Sequence, residues 1–486
     1  MKISNSPKDM SLFVALIPVI TLIIMLAGDV VWFGEDSSYG SNQMALLIAA
    51  LIAGGIGVYR GTKWKEIRDA ISNSIGQATE AILILLIIGA LAGTWLMAGI
   101  IPAFIHYGLQ ILQPGIFLFA ATIICAVLSL ATGSSWGTVG TVGVALVGIG
   151  TALGLDEGWV AGAIISGAYF GDKLSPLSDT TNLAPAVAGT DLITHIKYMT
   201  ITTIPSFTVA LIVFLIVGFG GSAASGSESG FAEGFGEAVN GMFNIHPGLF
   251  LAPVAVLIMI AKKVPAAAAL FIGALLGALT AVIFQPDVIM MVAGGDLNFA
   301  AASYVASMKA MSVDTAYVTG NALADELLTA EGMKGMMNTI WLIICAMTFG
   351  AVLQAAGMLK RITAALISGV NNVFGLFSRT VGTCIAFNIL ASDQYIAIVV
   401  PGKMFSEAFD NKGLAPENLS RTLEDAGTVT SVLIPWNTCG VAQSGILGVA
   451  TLAYAPYCIF NWVSPMMSLA VAGLGYKLKY KDGERR

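Results

Sequence analysis

Runs of about 20 apolar residues, each long enough to cross a bilayer as a helix, are separated by short polar connectors along almost the entire chain. They fall near residues 11–33, 43–59, 81–101, 115–132, 137–154, 199–220, 247–261, 266–285, 338–358, 381–401 and 445–475. In lipid only helices and closed barrels satisfy every backbone N–H and C=O, and runs of this length suit helices. The pattern therefore predicts an all-α polytopic membrane protein of about 11 to 13 transmembrane helices, with broken or re-entrant pieces and no sizeable soluble domain. The first run, behind Lys2 and Lys8, resembles a signal peptide, but no A-x-A cleavage pattern follows Leu26, so it reads as the first transmembrane helix.

Composition agrees: the 486 residues are 56% hydrophobic and 11% charged, with a mean hydropathy of +0.83, where soluble domains are about 25% charged. A net charge of -6 and the lack of a basic stripe exclude nucleic acid as a partner and leave membrane lipid as the surroundings. Cys125, Cys345, Cys384, Cys439 and Cys458 lack metal-ligand spacing and read as packing residues. No HExxH, Walker A, GxSxG or GxGxxG stretch occurs in a fitting context, so neither an enzyme nor a bound cofactor is expected.

Basic residues favour cytoplasmic loops. Arg60, Lys63, Lys65 and Arg68 mark one such loop, Lys262 and Lys263 another, and Lys477, Lys479, Lys481, Arg485 and Arg486 a cytoplasmic tail. The segments Gly34–Gln43 and Gly221–His246 carry acids without Lys or Arg and belong outside, as does the long polar stretch from Gln285 to Asn338. Within that stretch, Ala300–Met311 and Ala322–Glu331 read as short surface helices. Both termini come out cytoplasmic in a cell (inner) membrane protein.

Short echoes link the two halves. IGALAGTWLMAG from Ile88 resembles FGAVLQAAG from Phe349, GSSWGT from Gly133 takes the place of ASDQYI from Ala391, and PLSDTTN from Pro176 that of PWNTCG from Pro435. The first half starts inside and the second outside, which is the charge signature of an inverted-topology repeat, with substrates bound where broken helices of the halves meet. The organisation expected is N-terminal scaffold helices over 1–69, a first repeat over 70–220, a linker with two scaffold helices and an extracellular loop over 221–337, a second repeat over 338–476 and a tail over 477–486.

Against this apolar background the stretch GDKLSPLSDTTNLAP, Gly171 to Pro185, puts two aspartates, a lysine and helix breakers between membrane segments. A charge at the bilayer centre costs about 2.5–3.5 kcal/mol on insertion scales, and irregular backbone survives there only when lining a cavity walled by protein. Asp179, among Ser178, Thr180, Thr181 and Asn182, reads as a cation ligand; Asp172 beside Lys173 is either a proton carrier or an ion pair. Gly133 with Ser134, Ser135 and Thr138 offers either oxygen ligands or a small-residue helix interface. In the second half Asn388, Ser392 and Asp393 interrupt an apolar run, Asp393 being either a ligand or a helix cap, and Thr428, Asn437 and Thr438 offer uncharged ligands. Na+ is assigned to Asp179, Thr180, Asn182 and Asp393. Glu424 and Asp425 read as the cytoplasmic shoulder of their helix, and His106, His195 and His246 as interface residues. An aspartate titrates near about 3.9 in water and burial can raise it by up to about 3–5 units, so competition between H+ and Na+ for one carboxylate is sufficient for exchange.

At GTVG from Gly137 and GDKLSPLSDTTNLAPAVAGTD from Gly171 the chain resembles the NhaC family of Na+/H+ antiporters, and the resemblance runs from about residue 10 to 475. It implies extrusion of cytoplasmic Na+, with Li+ as a further candidate, against entering H+, two inverted repeats with hairpins, a mobile transport domain and commonly a homodimer. The family also includes exchangers of small organic acids such as malate and lactate. That alternative stays open, although Lys173 and Lys403 are the only basic residues the sequence places near the core. Protonatable carboxylates in paired halves favour a carrier over a channel.

Overall fold

The computed structural model describes residues 10–33, 40–221, 231–262, 264–319, 325, 327–367 and 372–481 of the chain. It is an all-α polytopic membrane protein. Among the described residues nine helices are long and apolar enough to cross a membrane, ten if the bent pair Thr438–Leu447 and Thr451–Tyr457 counts as one span. Shorter apolar helices, Ile100–Ile111, Pro247–Ile260 and Ile459–Gly473, lie beside them. The apolar run 445–475 does not form one rod: the chain bends by 92° between Leu447 and Thr451 and turns again through Ala455–Tyr457 before Ile459.

Two sets of helices repeat one plan. Val373 follows Pro114 by 259 residues, and the same interval separates the helix starts Ser135 and Gln394, Glu157 and Pro416, Asp179 and Thr438, and Leu192 and Thr451. The left-handed positions repeat in step: Gly133 with Ser392, Gly154 with Gly413, and Gly189 with Gly448. The repeat therefore pairs Gly133 with Ser392, one residue beyond the Ala391 suggested by matching letters.

Close approach between Pro114–Thr132 and Glu157–Leu174 fixes the first-half site. A Cβ on Gly167 would lie 2.1 Å from the Thr122 carbonyl oxygen, and one on Gly171 would lie 2.3 Å from that of Ala126. Where the backbones touch, hydroxyls donate to carbonyls: Thr122 Oγ1 to Ala163 at 3.1 Å and Ser129 Oγ to Ala168 at 2.5 Å. Because the obstructing atoms are backbone, they cannot swing aside. Gly167→Ala is expected to lower stability by about 1–3 kcal/mol through overpacking, read as a lower midpoint of thermal unfolding in detergent.

The stretch 285–338 differs from expectation in one place. Phe299–Ser312 covers the first expected surface helix, but Thr315–Ala316 pairs antiparallel with Thr329–Ala330, where a second helix was expected over Ala322–Glu331. β-Branched threonines at both ends and the Tyr317 N–H donating to the Leu328 carbonyl favour the ladder; residues 322–324 and 326 lie outside the described residues. At the other end the tail folds back. Leu414 and Tyr480 form an antiparallel bridge, Lys479 pairs with Glu417 at 2.6 Å and Lys481 pairs with Asp410.

Candidate functional site

The site begins with four helix starts. In the first half the helix Pro114–Thr132 stops at Gly133 (φ 70°), and Ser134 caps the next helix by accepting from the Gly137 N–H at 3.0 Å. In the second half Val373–Leu390 stops before Ser392 (φ 58°), and Asp393 caps Gln394–Asn411 by accepting from the Ile396 N–H at 2.9 Å. Ser134 and Asp393 thus hold equivalent places. Farther along, Ser178 caps Asp179–Ala188 and Asn437 caps Thr438–Leu447. Short helices whose N–H ends meet at breaks present donors and partial positive charge, with carbonyls left free nearby.

Asp172 ends its helix buried, with its carboxylate accepting from Ser135 Oγ at 2.7 Å and from the Ser135 N–H at 3.3 Å. Its partner is therefore the broken helix before it, and the adjacent Lys173 turns elsewhere. Asp179 is exposed at the first position of its helix. Tyr395, half exposed at the second position of its own helix, lies within electrostatic reach of Asp179, Asp393 and Asp172 together. The three aspartates singled out in the sequence are thus all among the charged neighbours of this residue.

Several neighbouring hydroxyls and amides are already committed. Thr181 Oγ1 donates to the carbonyls of Asp172 and Lys173, at 3.2 and 3.1 Å, and Asn182 Nδ2 to those of Pro176 and Ser178, at 3.0 and 2.7 Å. Thr138 Oγ1 donates to the Ser134 carbonyl, and Ser178 Oγ lies 3.2 Å from Thr180 Oγ1. In the other half Asn437 Nδ2 donates to Asn388 Oδ1 at 3.2 Å, while Asn388 Nδ2 donates to the Gly427 carbonyl at 2.7 Å. The Thr438 N–H donates to the Ser392 carbonyl at 2.9 Å, tying the two second-half breaks together. Ser392 Oγ and Thr428 Oγ1 are buried without a hydrogen-bond partner among the described residues.

A second cluster was not anticipated. Glu424 and Asp425 are fully buried and do not form an exposed shoulder. Burial of Asp425 is possible because Lys173, 252 residues earlier, pairs with it, while Ser464 Oγ accepts from Lys173 at 2.9 Å and Thr202 Oγ1 donates to Asp425 at 3.0 Å. Arg421, also fully buried, lies 3.8 Å from Asp425 and 4.7 Å from the centre of the Tyr198 ring. His195 likewise is no interface residue: it is buried with Nδ1 2.8 Å from Ser420 Oγ. Lys403 is exposed, leaving Lys173 and Arg421 as the cations of this region. The one signal in the sequence was the charge density of SRTLED, which a hydropathy reading assigns to an interface. The five cysteines are free and buried, in keeping with packing.

Known proteins resemble this chain over most of its length. The sequence profile of the Na+/H+ antiporter family matches residues 167–476. A malate-2H+/Na+-lactate antiporter of Bacillus subtilis is 36% identical, with 90% of each chain covered. The Na+/H+ antiporter NhaC of Alkalihalophilus pseudofirmus is 34% identical over 89% of this chain and 90% of its own. An arginine/ornithine antiporter of Halobacterium salinarum is 34% identical over 97% of this chain and 93% of its own.

Proposed function

The chain belongs to the Na+/H+ antiporter family, and from that premise we propose that it exchanges cytoplasmic Na+ for external H+ through Asp172, Asp179 and Asp393. The observation that carries this reading is the position of those three aspartates at the helix breaks of both repeated sets: Asp172 accepts from Ser135 at the first break, Asp179 begins the helix after the second, and Asp393 caps the helix at the equivalent break of the other set. Each break supplies hydroxyls and amides, with Ser134, Ser135, Ser178, Thr180 and Asn182 on one side and Asn388, Ser392, Asn437 and Thr438 on the other. A carboxylate held there alternates between H+ and Na+, so one ion leaves as the other enters. The reading includes the inverted orientation of the two sets, cytoplasmic termini, a cell (inner) membrane and a homodimer.

A second reading keeps the ions and adds a small organic solute. Two fully buried cations, Lys173 and Arg421, favour it, since Arg421 is without hydrogen bonds among the described residues. So does the likeness to malate-lactate and arginine/ornithine antiporters. Liposomes containing the purified protein and an internal pH dye separate the two. Na+ alone, with no organic solute present, is expected to drive proton movement; a response only when malate, lactate, arginine or ornithine is added selects the second reading.

A further inference from the structure

The cation chemistry described so far leaves one group of oxygens unused. At Glu424–Thr428 the helix widens into a single π turn, a deviation that recurs at functional sites. Among the described residues neither buried Glu424 carboxylate oxygen makes a hydrogen bond of good geometry, and Thr428 Oγ1, the hydroxyl beside that carboxyl, is buried and likewise unbonded. Asn461 is tied to the residue that ends the turn, its Nδ2 donating to the Val429 carbonyl at 2.8 Å, and its Oδ1 is a further buried oxygen without a donor among the described residues. Lys173 does not fill the need, because its ammonium is held by Asp425 and Ser464.

Buried acceptors without donors are costly, and a buried carboxylate without a counter-charge costs more. Glu424 and Asn461 bring acceptors only, and a hydroxyl can turn its lone pairs toward a cation. One carboxylate with neutral oxygens carries a single negative charge, and hard oxygen donors suit an alkali cation. The first half has no match: the residues 259 positions earlier are Ile165 for Glu424, Tyr169 for Thr428 and Thr202 for Asn461.

We propose that the π turn is a second, enclosed Na+ site, formed by the Glu424 carboxylate with Thr428 Oγ1 and Asn461 Oδ1. It rests on the reading of the protein as a Na+ exchanger and adds a bound ion to it. The site lies within electrostatic reach of Asp172, so its occupancy bears on the first site through charge.

The test is binding of radioactive Na+ to the purified full-length protein at fixed pH, compared among wild type, Glu424→Gln, Thr428→Val and Asp179→Asn. Glu424→Gln is expected to remove about half of the saturable Na+ and leave the fraction that depends on Asp179. Thr428→Val is expected to weaken the same fraction about tenfold. Wild-type stoichiometry and affinity in monodisperse Glu424→Gln overturn the proposal; if that variant does not fold, unchanged affinity in Thr428→Val overturns it. Absence of saturable Na+ binding in wild type overturns the exchanger reading itself. Binding that is lost in Asp179→Asn but unchanged in Glu424→Gln overturns the second site alone.

Discussion

Lys173→Met is expected to destabilise the protein by about 3–5 kcal/mol, because removing one partner of a buried ion pair leaves the other as an uncompensated charge. Asp425 and Lys173 are both fully buried, so solvent cannot take over the role of the missing ammonium. Arg421 stands only 3.8 Å away but without a hydrogen bond to the carboxylate, and Thr202 and Ser464 bring neutral dipoles. The double variant Lys173→Met, Asp425→Leu removes this pair and is expected to regain only part of the loss, since apolar replacement of a whole buried pair is often neutral or stabilising but Arg421 then loses its own carboxylate partner. Thermal unfolding in detergent checks both. A single variant as stable as wild type means that the pair does not hold the two repeated sets of helices together.

The second large effect concerns transport rather than folding. Asp172→Asn keeps the volume of the side chain and an oxygen to accept from Ser135 Oγ, so insertion and helix packing are expected to survive. What it loses is the negative charge on which Na+ and H+ are proposed to compete, and Na+-dependent proton movement in everted vesicles is expected to vanish. Ser135→Ala removes the hydroxyl bond but leaves the charge, and is expected to weaken exchange without abolishing it. The contrast separates charge from geometry: equal losses in the two variants would mean that the contact matters, and not the proton or cation held by Asp172.

Much of this was legible because membrane burial is written into long apolar runs, and because breaks there need Gly, Pro or capping residues. Gly133, Pro176 and Pro435 marked the breaks, and the surrounding hydroxyls and aspartates marked the candidate site. Three features were not legible. Pairing by letters put Gly133 against Ala391, whereas the left-handed turn falls on Ser392, since backbone shape tolerates a residue change that letter matching penalises. The run 445–475 looked continuous because small and apolar residues carry the chain through its 92° bend. Glu424 and Asp425 looked like an interface because local hydropathy cannot see Lys173, which is close only after folding.

The two repeated sets of helices share a backbone plan but not a charge pattern. The first contributes Asp172, Lys173 and Asp179, and the second Asp393, Arg421, Glu424 and Asp425. At equivalent caps, Ser134 stands opposite Asp393; at the next pair of breaks, Asp179 begins one helix and uncharged Thr438 the other. The acid missing beside Asn437 is thus found earlier in the same segment, within the buried cluster.

Exchange of Na+ and H+ on Asp172, Asp179 and Asp393 is the proposed function of the site. Its most direct test follows Na+ efflux and lumenal pH together in proteoliposomes loaded with Na+ and diluted into Na+-free buffer, for wild type and Asp172→Asn. The wild-type lumen is expected to acidify in step with Na+ loss, with no such response when K+ is inside, and neither flux is expected in Asp172→Asn. Coupled fluxes that persist in Asp172→Asn, or wild-type Na+ loss with no change in lumenal pH, would contradict it.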